Sequence, residues 1–204
     1  VEGADVLILN GVGLEDFMQD ALAASHAEVI DCSEGVELLV SASHADHHHE
    51  EAAHDHEEAS DTHDHGHFDP HIWMDPNRAA QMAETIARRM AALDPDHAQA
   101  YAENAEAAQA QLEKLDGTIY NWIVQGTIGS EETGYAALDL PYREIITFHD
   151  GFRYFAYVYQ LNIVKSIEEE EGSTASAKEI NEIIGLIETY DLPVIFTEVN
   201  GSQD

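Results

Sequence analysis

Residues 43–76 read SHADHHHEEAAHDHEEASDTHDHGHFDPHIWMDP, and this stretch has two parts of opposite character. The first part, 44–67, is a low-complexity run of His, Asp, Glu and Ala with almost no apolar residues. Because it has too little apolar surface to offset the entropy lost on ordering, we predict a disordered loop. The second part, 68–76, is compact and aromatic, and Pro70 and Pro76 make it stiff, so we predict that it folds. A histidine-rich loop that runs into an ordered segment carrying His71 indicates a protein that handles a metal ion.

The loop is unusually dense in histidine, with carboxylates between the imidazoles. Imidazole suits zinc, copper and nickel, so we expect weak and mobile binding of such ions, as in capture or buffering. The alternative is a solvated charge run with no ligand role. The loop histidines are His44, His47, His48, His49, His54, His56, His63, His65 and His67.

The composition limits the partners of the chain. Its 204 residues allow one large or two small domains, and its hydrophobic fraction of 44% is ordinary for a globular protein. Its 41 acidic residues against 8 basic ones give a formal net charge of −33, which argues against nucleic acid and anionic membranes as partners. The acidity is compatible with attraction of cations, and equally with solubility in a saline environment.

The single cysteine and the chain ends give further bounds. Cys32 stands alone, which excludes an intrachain disulfide and a cysteine-based zinc site, and we predict a buried thiol. The sequence has no signal peptide and no apolar run long enough to span a bilayer. Because the chain opens almost directly on a strand and ends just after another, we expect it to be a piece of a longer protein. The missing signal peptide then carries no information about compartment.

The first third of the chain has the pattern of an α/β unit. Val6–Leu9 predicts a buried strand, and 10–13 (NGVG) predicts a turn. Apolar residues at helical spacing predict a helix over 14–22, and 28–32 predicts a second strand. The order strand, helix, strand favours a parallel sheet.

Two Asp-Pro pairs predict helix starts, since aspartate is a good N-cap and proline suits the first helical position. The first helix follows Asp75 and Pro76. The second follows Asp94 and Pro95, and we predict that this connecting helix covers 95–116 and stops at Gly117.

The second half of the chain repeats the α/β pattern. We predict a strand at 143–148, a helix at 152–159, a strand at 162–164, a helix at 177–190 and a strand at 192–196. The fold class is therefore α/β, with two lobes of parallel sheets flanked by helices, joined by a long rigid helix. The predicted lobes are 1–94 and 117–204.

Three side chains stand where sites form in α/β proteins. His149 follows a predicted strand, Glu198 follows the last one, and His71 lies in the stiff turn before a helix. Two neutral imidazoles are half of a tetrahedral zinc site. Neighbouring carboxylates could orient the rings from a second shell, and the candidates are Asp69, Asp75, Asp150 and Glu198. The alternative is that the histidines are structural and that the carboxylates are helix caps or exposed groups.

These motifs together resemble a known family. The histidine-rich run followed by FDPHIWMDP (68–76), then ITFHDGFRYF (146–155) and VIFTE (194–198), is similar to the zinc-binding solute-binding proteins of ABC-type metal importers. The resemblance covers nearly the whole chain. It implies two α/β lobes joined by a rigid helix, with the metal held in the cleft between them. It also implies four ligands, of which His71 matches the second and His149 the third. The early histidine and the late carboxylate would lie outside this chain.

The resemblance also implies a function. We expect a non-catalytic extracytoplasmic receptor, periplasmic or lipid-anchored, that binds Zn²⁺ as its transported ligand and delivers it to a membrane permease. We also expect a monomer. Histidine at position 149, where manganese-type relatives place glutamate, favours zinc over manganese or iron. A zinc-dependent hydrolase is the alternative from another class, but no HExxH helix is present and no glutamate beside either histidine is an obvious general base.

Overall fold

The computed structural model describes residues 3–41, 67–130, 134–137, 143–168, 176–192 and 195–196. Its strands are β1 (Val6–Leu9), β2 (Glu28–Asp31), β3 (Thr127–Ser130), β4 (Gly134–Ala137), β5 (Glu144–His149) and β6 (Asn162–Glu168). Its α-helices are α1 (Gln19–Ala24), α2 (Pro76–Leu93), α3 (Ala98–Ile123), α4 (Arg153–Tyr159) and α5 (Ala177–Tyr190). Short 3-10 helices lie at Asp16–Met18, Ile72–Met74 and Pro95–His97. The predicted α/β class is confirmed.

The first sheet pairs β1 with β2 in parallel, as predicted, with Ile8 opposite Ile30. Ile30 is fully buried, whereas Ile8 is 51% exposed, so the predicted burial of the first strand is wrong for the described residues. Backbone bonds extend the ladder at both ends, because Glu28 N–H donates to Asp5 O and Cys32 N–H donates to Leu9 O. Both strands therefore end together, at Leu9 and Asp31.

The helix predicted over 14–22 lies two residues later in the chain, as one 3-10 turn at Asp16–Met18 followed by α1 at Gln19–Ala24. Val12 and Gly13 have φ values of 59° and 78°, which continue the turn after β1. Glu15 then uses its carboxylate to accept the backbone N–H groups of Asn10 and Gly11. The helix starts late because the turn occupies the residues that would form its first turn.

Helix α2 begins as the sequence predicts. Asp75 accepts the backbone N–H of Asn77 at 2.9 Å, which caps the helix, and Pro76 is its first residue. Farther along α2, the buried Arg78 donates to the carbonyl of Glu37 at 2.9 Å. Thr85, also buried, donates to the carbonyl of Glu34 at 3.4 Å. These bonds attach α2 to the loop that follows β2.

Helix α3 does not stop at Gly117, contrary to the prediction, but continues to Ile123. An internal glycine costs a helix only about 1 kcal/mol relative to alanine. Beside it, Asp116 accepts a hydrogen bond from the buried Tyr159 hydroxyl at 2.8 Å. Beyond the end of the helix, Gly126 has a φ of 62°, a left-handed conformation that favours glycine.

The chain divides into two compact units. Unit 1 comprises Val1–Trp73 and Arg78–Ala110, and unit 2 comprises Met74–Asn77 and Gln111–Asp204. Helix α3 therefore belongs to both units. The division into lobes 1–94 and 117–204 with a connector at 95–116 stays a prediction.

In unit 2, β5 and β6 pair in parallel, with one register shift at Ile145/Ile146. Their core is formed by Ile146, Ile183 and Leu192, against which side chains of β6 and α5 pack. The predicted last strand falls partly outside the described residues, but Phe196 N–H donates to Ile146 O at 3.1 Å.

Two features of the described chain remain. Strands β3 and β4 form an antiparallel hairpin that the sequence analysis missed, because TIGS and GYAA have little of the β-branched alternation that identifies strands. Among the described residues, no helix is long and apolar enough to cross a membrane.

Candidate metal centre

The turn that carries His71 is held from within by Asp69. One carboxylate oxygen of Asp69, Oδ1, accepts the backbone N–H of His71 at 2.9 Å and faces the ring Nδ1 at 2.8 Å. The two side chains are 16% and 7% exposed, for His71 and Asp69 respectively. Because an ionised carboxylate only accepts, this contact places a hydrogen on Nδ1, and the neutral form of the ring then has its lone pair on Nε2. This is the tautomer in which a histidine binds a metal through Nε2 with a carboxylate behind it.

His71 stands at the centre of a tight backbone turn. Ile72 N–H donates to Pro70 O at 2.8 Å, a bond that spans one residue and defines a γ-turn around His71. Ile72 is fully buried, and the His71 ring lies 5.3 Å from that of Trp73 at a tilt of 54°. Asp75, which caps α2, follows immediately. The ring is thus held between a buried anchor and a helix start.

Described residues on either side of the histidine-rich run pair with each other next to this turn. Ser41 N–H donates to His67 O at 3.0 Å, and Asp69 N–H donates to Leu39 O at 2.9 Å. Between them, Val40 and Phe68 form an antiparallel bridge. His67 is therefore part of a paired segment, which corrects its assignment to the disordered loop. Its ring meets that of Phe68 edge-on at 4.9 Å.

His149 is the last residue of β5, where the sequence predicted it to follow the strand. Its neighbours Phe148 and Thr147 are 8% and 1% exposed, and His149 itself is half-buried. The Nδ1 atom is inaccessible to solvent. The exposed part of the residue therefore consists of other atoms.

Asp150 is tied to the neighbouring strand. Its Oδ1 accepts from the Ser166 hydroxyl at 3.3 Å, and that hydroxyl is 3.1 Å from the hydroxyl of Thr147. This hydrogen-bonded chain joins the end of β5 to β6. Asp150 therefore stabilises the backbone directly after His149.

Several predicted site residues lie outside the described residues, so their positions carry no structural statement. They are Glu198 and the loop histidines His44, His47, His48, His49, His54, His56, His63 and His65. Within the described ranges, no group of three or more His, Cys, Asp or Glu side chains is close enough to hold a metal ion.

A groove of about 350 Å³ between α2 and α3 carries no imidazole. It is lined by Ala87, Ala91, Ala98, Ala102 and Ala105, with Glu84, Arg88, Glu106 and Gln109. Its alanine lining offers few groups for an ion. The groove is therefore not a candidate metal centre.

Sequence reasoning missed Asn10, which it treated only as a turn residue. The Asn10 amide donates to Pro70 O at 2.9 Å, across 60 positions of sequence. The pattern NGVGLE over 10–15 contains the glycines and the acid that shape this contact, but the sequence alone does not show what the amide meets.

A family model described as "ZnuA: Zinc-uptake complex component A periplasmic" matches residues 1–204. The chain belongs to this family. The predicted resemblance to zinc-binding solute-binding proteins is thereby confirmed, and it was the DPH segment and the later histidine motif that carried it.

This chain has relatives that are named for two different metals. It is 27% identical over 199 residues to the manganese-binding lipoprotein MntA of Halalkalibacterium halodurans, covering 97% of the chain and 55% of that protein. It is 26% identical over 207 residues to the zinc-binding protein AdcA of Streptococcus pyogenes serotype M3, covering 100% of the chain and 38% of that protein. The chain thus spans about half the length, or less, of these relatives.

The fold agrees with a solved member of the same family. A crystal structure of ZnuA superposes with a TM-score of 0.71 at 28% identity, covering 97% of this chain and 64% of that one. The α/β architecture predicted from the sequence is the architecture of this family.

Proposed function

We propose that this chain belongs to the extracytoplasmic receptor of a zinc ABC importer, which captures Zn²⁺ and delivers it to a membrane permease. The observation that carries the proposal is the Asp69–His71 pair, in which a carboxylate at 2.8 Å fixes the imidazole tautomer that binds metal through Nε2. Family membership supports the transport role. It also favours the receptor over the zinc-dependent hydrolase.

The proposed protein ligands in this chain are His71 and His149. Both are half-buried, and because Nδ1 of His71 faces Asp69, Nε2 is the nitrogen of that ring proposed to bind the ion. Asp69 orients the His71 ring. That Asp75, Asp150 and Glu198 help to orient the histidine rings stays a prediction.

Zinc is the proposed ion because both ligands are imidazole nitrogens. Nitrogen donors suit zinc, whereas manganese prefers harder oxygen donors. The relatives named for zinc and for manganese leave both metals in the family, so the choice rests on the donor atoms of this chain. Manganese or iron is the alternative cargo.

The histidine-rich loop is proposed to capture ions weakly and raise their concentration near His71. The support is positional, because Ser41 pairs with His67 and Leu39 pairs with Asp69, which places residues on both sides of the loop beside the His71 turn. The chain's formal charge of −33 would assist by attracting cations. Location outside the cytoplasm, a permease partner and a monomeric state are parts of the same proposal.

A competitive zinc titration of two chains tests the proposal. The first is the intact chain, and the second lacks residues 44–65. This deletion keeps the pair Ser41–His67 and leaves Ala42, Ser43 and Gly66 as a short link of ordinary hairpin length. We expect the shortened chain to retain a zinc site that His71→Ala and His149→Ala each weaken.

His97→Ala is the matched control, since His97 also faces a carboxylate, that of Asp94 at 2.7 Å, but lies on the helix surface. Loss of all zinc binding on loop deletion would reduce the chain to a weak metal buffer. Binding that survives both His71→Ala and His149→Ala would place the ion elsewhere.

A further inference from the structure

One side chain joins the end of β1 to the turn that carries His71. The Asn10 Nδ2 group donates to Pro70 O at 2.9 Å and to Gly11 O at 3.0 Å. The two acceptors are both carbonyl oxygens, which assigns the NH₂ end of the amide to this side. Both Asn10 and Pro70 belong to unit 1.

Glu15 makes this use of the Asn10 amide possible. An asparagine in a turn commonly turns its side-chain oxygen onto a nearby backbone N–H. Here the Asn10 oxygen makes no such bond, and the Glu15 carboxylate accepts the backbone N–H groups of Asn10 at 2.6 Å and of Gly11 at 3.2 Å. The amide is therefore directed at the carbonyl of Pro70 instead of its own backbone.

The turn after β1 requires glycine at position 11. Leu14 N–H donates to Gly11 O, and both central residues, Val12 and Gly13, have positive φ. A Cβ built on Gly11 would overlap the carboxylate of Asp31, and Gly11 itself has a φ of +86°. The backbone of Asn10 and Gly11 is thus fixed from both sides, which fixes the direction of the Asn10 side chain.

The Pro70 carbonyl, which accepts a hydrogen bond from Asn10, also closes the backbone turn around His71. Pro70 O also accepts Ile72 N–H at 2.8 Å, closing the γ-turn centred on His71. Asp69 orients the His71 ring, while Asn10 holds the peptide just before it. The His71 backbone is thus fixed on the side that the Asp69 carboxylate does not reach.

This arrangement has an energetic cost at the side-chain oxygen of Asn10. The Asn10 Oδ1 atom is buried and makes no hydrogen bond with the described residues. An unsatisfied buried acceptor is unfavourable, so the site gives up stability to place both amide hydrogens on carbonyls. Such a cost is common where a group serves function rather than folding.

We propose that Asn10, aimed by Glu15, is a positioning residue that sets the orientation of His71 through the Pro70 carbonyl. The consequence for metal affinity rests on the proposed function, in which His71 is a ligand. The consequence for the His71 ring does not.

The experiment that tests positioning uses the full metal-free chain. The ring ¹⁵N signals of His71, assigned by their loss in His71→Ala, report which nitrogen carries the hydrogen at fixed neutral pH. We expect the wild type to show the Nδ1–H tautomer, and Asn10→Ala to shift these signals toward a tautomeric mixture. Asn10→Asp, nearly the same shape but with an oxygen facing Pro70 O, should do the same and serves if the alanine variant is poorly folded.

Asn181→Ala is the matched control, because Asn181 also donates its amide to a backbone carbonyl, that of Ala177 at 2.8 Å, but in unit 2. It should leave the His71 signals unchanged. Unchanged His71 signals in both Asn10 variants, with folding intact by circular dichroism, would overturn the proposal.

A zinc competition titration adds the functional arm as a double-mutant cycle. Asn10→Ala should weaken the tightest zinc site by about tenfold, at the low end for groups that orient a metal ligand. It should have no further effect in a His71→Ala background. Equal weakening with and without His71 would overturn action through His71. Altered ring signals with zinc affinity unaffected by His71→Ala would support positioning and instead reject His71 as a ligand.

Discussion

A single oxygen of Asp69 accepts both the backbone N–H and the ring Nδ1–H of His71, at 2.9 and 2.8 Å. The carboxylate therefore fixes the position of the residue and the orientation of its ring together. With Asp69 only 7% exposed at its side chain, water competes little for these bonds. The pair is ordered by the local chain, since the two residues are separated only by Pro70.

Replacing Asp69 tests how much this pair matters for the ion. Asp69→Ala should weaken zinc binding by about 10–100-fold, because the imidazole loses both its fixed tautomer and its orientation. The measurement is competition against a chromogenic zinc chelator in the chain that lacks residues 44–65.

Asp94→Ala provides the comparison, because Asp94 forms the same kind of pair with His97 at 2.7 Å on an exposed helix start. We expect it to leave zinc affinity unchanged. Equal losses for the two aspartate variants would show that Asp69 has no particular role in binding.

The sequence predicted most of the elements that surround His71 and His149. Asp75 with Pro76 marked the start of α2, and the interval Ala177–Tyr190 was predicted at its observed bounds. These succeed because capping and apolar periodicity are local. The ordered turn at Asp69, Pro70 and His71 was also predictable, because a stiff turn with an adjacent carboxylate needs no distant partner.

Contacts between distant parts of the chain were not predictable in this way. The bond from Asn10 to Pro70 spans 60 positions, and no local pattern encodes its far end. The pairing of Ser41 with His67 is also a long-range contact, and because of it His67 lies in an ordered segment and not in the predicted loop. Helix α3 passed through Gly117 because a glycine weakens a helix by less than the surrounding structure supplies.

Tyr159 offers a test of packing in unit 2. Its side chain is fully buried, and its hydroxyl donates to Asp116 at 2.8 Å. Tyr159→Phe keeps the ring and should lower the free energy of unfolding by about 1 kcal/mol, the typical net value of a hydrogen bond. Urea unfolding measures it, and Tyr157→Phe on the same helix, where the side chain is 65% exposed, should have no effect.

The same tyrosine predicts a dependence on alkaline pH. Burial first, and then the hydrogen bond and charge of Asp116 and the charge of Asp75, raise the pKa of Tyr159 above its usual value of 10.0. Since folding favours the neutral phenol, the stability linked to Tyr159 is fully present below pH 10.0 and is lost as pH rises toward the folded pKa. Stability measured from pH 8 upward should therefore fall more steeply above about 10 in the wild type than in Tyr159→Phe. Parallel profiles would contradict this linkage.

Cys32 is expected to resist modification. It is 3% exposed, and burial, followed by the charges of Asp31 and Glu15, raises the pKa of its thiol. Because the thiolate is the reactive form, a disulfide reagent at pH 8 should react at least tenfold more slowly with the native chain than with the chain in denaturant, by roughly the scale of such pKa effects. A native rate equal to the denatured rate would show that the thiol is accessible.

The two glycines near the end of α3 should respond to alanine with opposite signs. Gly117 lies within the helix, and a Cβ there would meet nothing within 4 Å, so Gly117→Ala should stabilise by about 0.5–1 kcal/mol through the unfolded chain. Gly126 has a φ of 62°, which costs an alanine about 1 kcal/mol or more, so Gly126→Ala should destabilise.

Urea unfolding of both variants beside the wild type measures the two effects, with the denaturant slope required to stay constant so that the change is one of stability. Opposite signs would establish that α3 continues through Gly117 and that the chain turns left-handed only at Gly126, after the helix has ended at Ile123. Destabilisation by Gly117→Ala with no effect of Gly126→Ala would instead restore the helix end that the sequence predicted, because alanine would then be strained at position 117 and tolerated at 126.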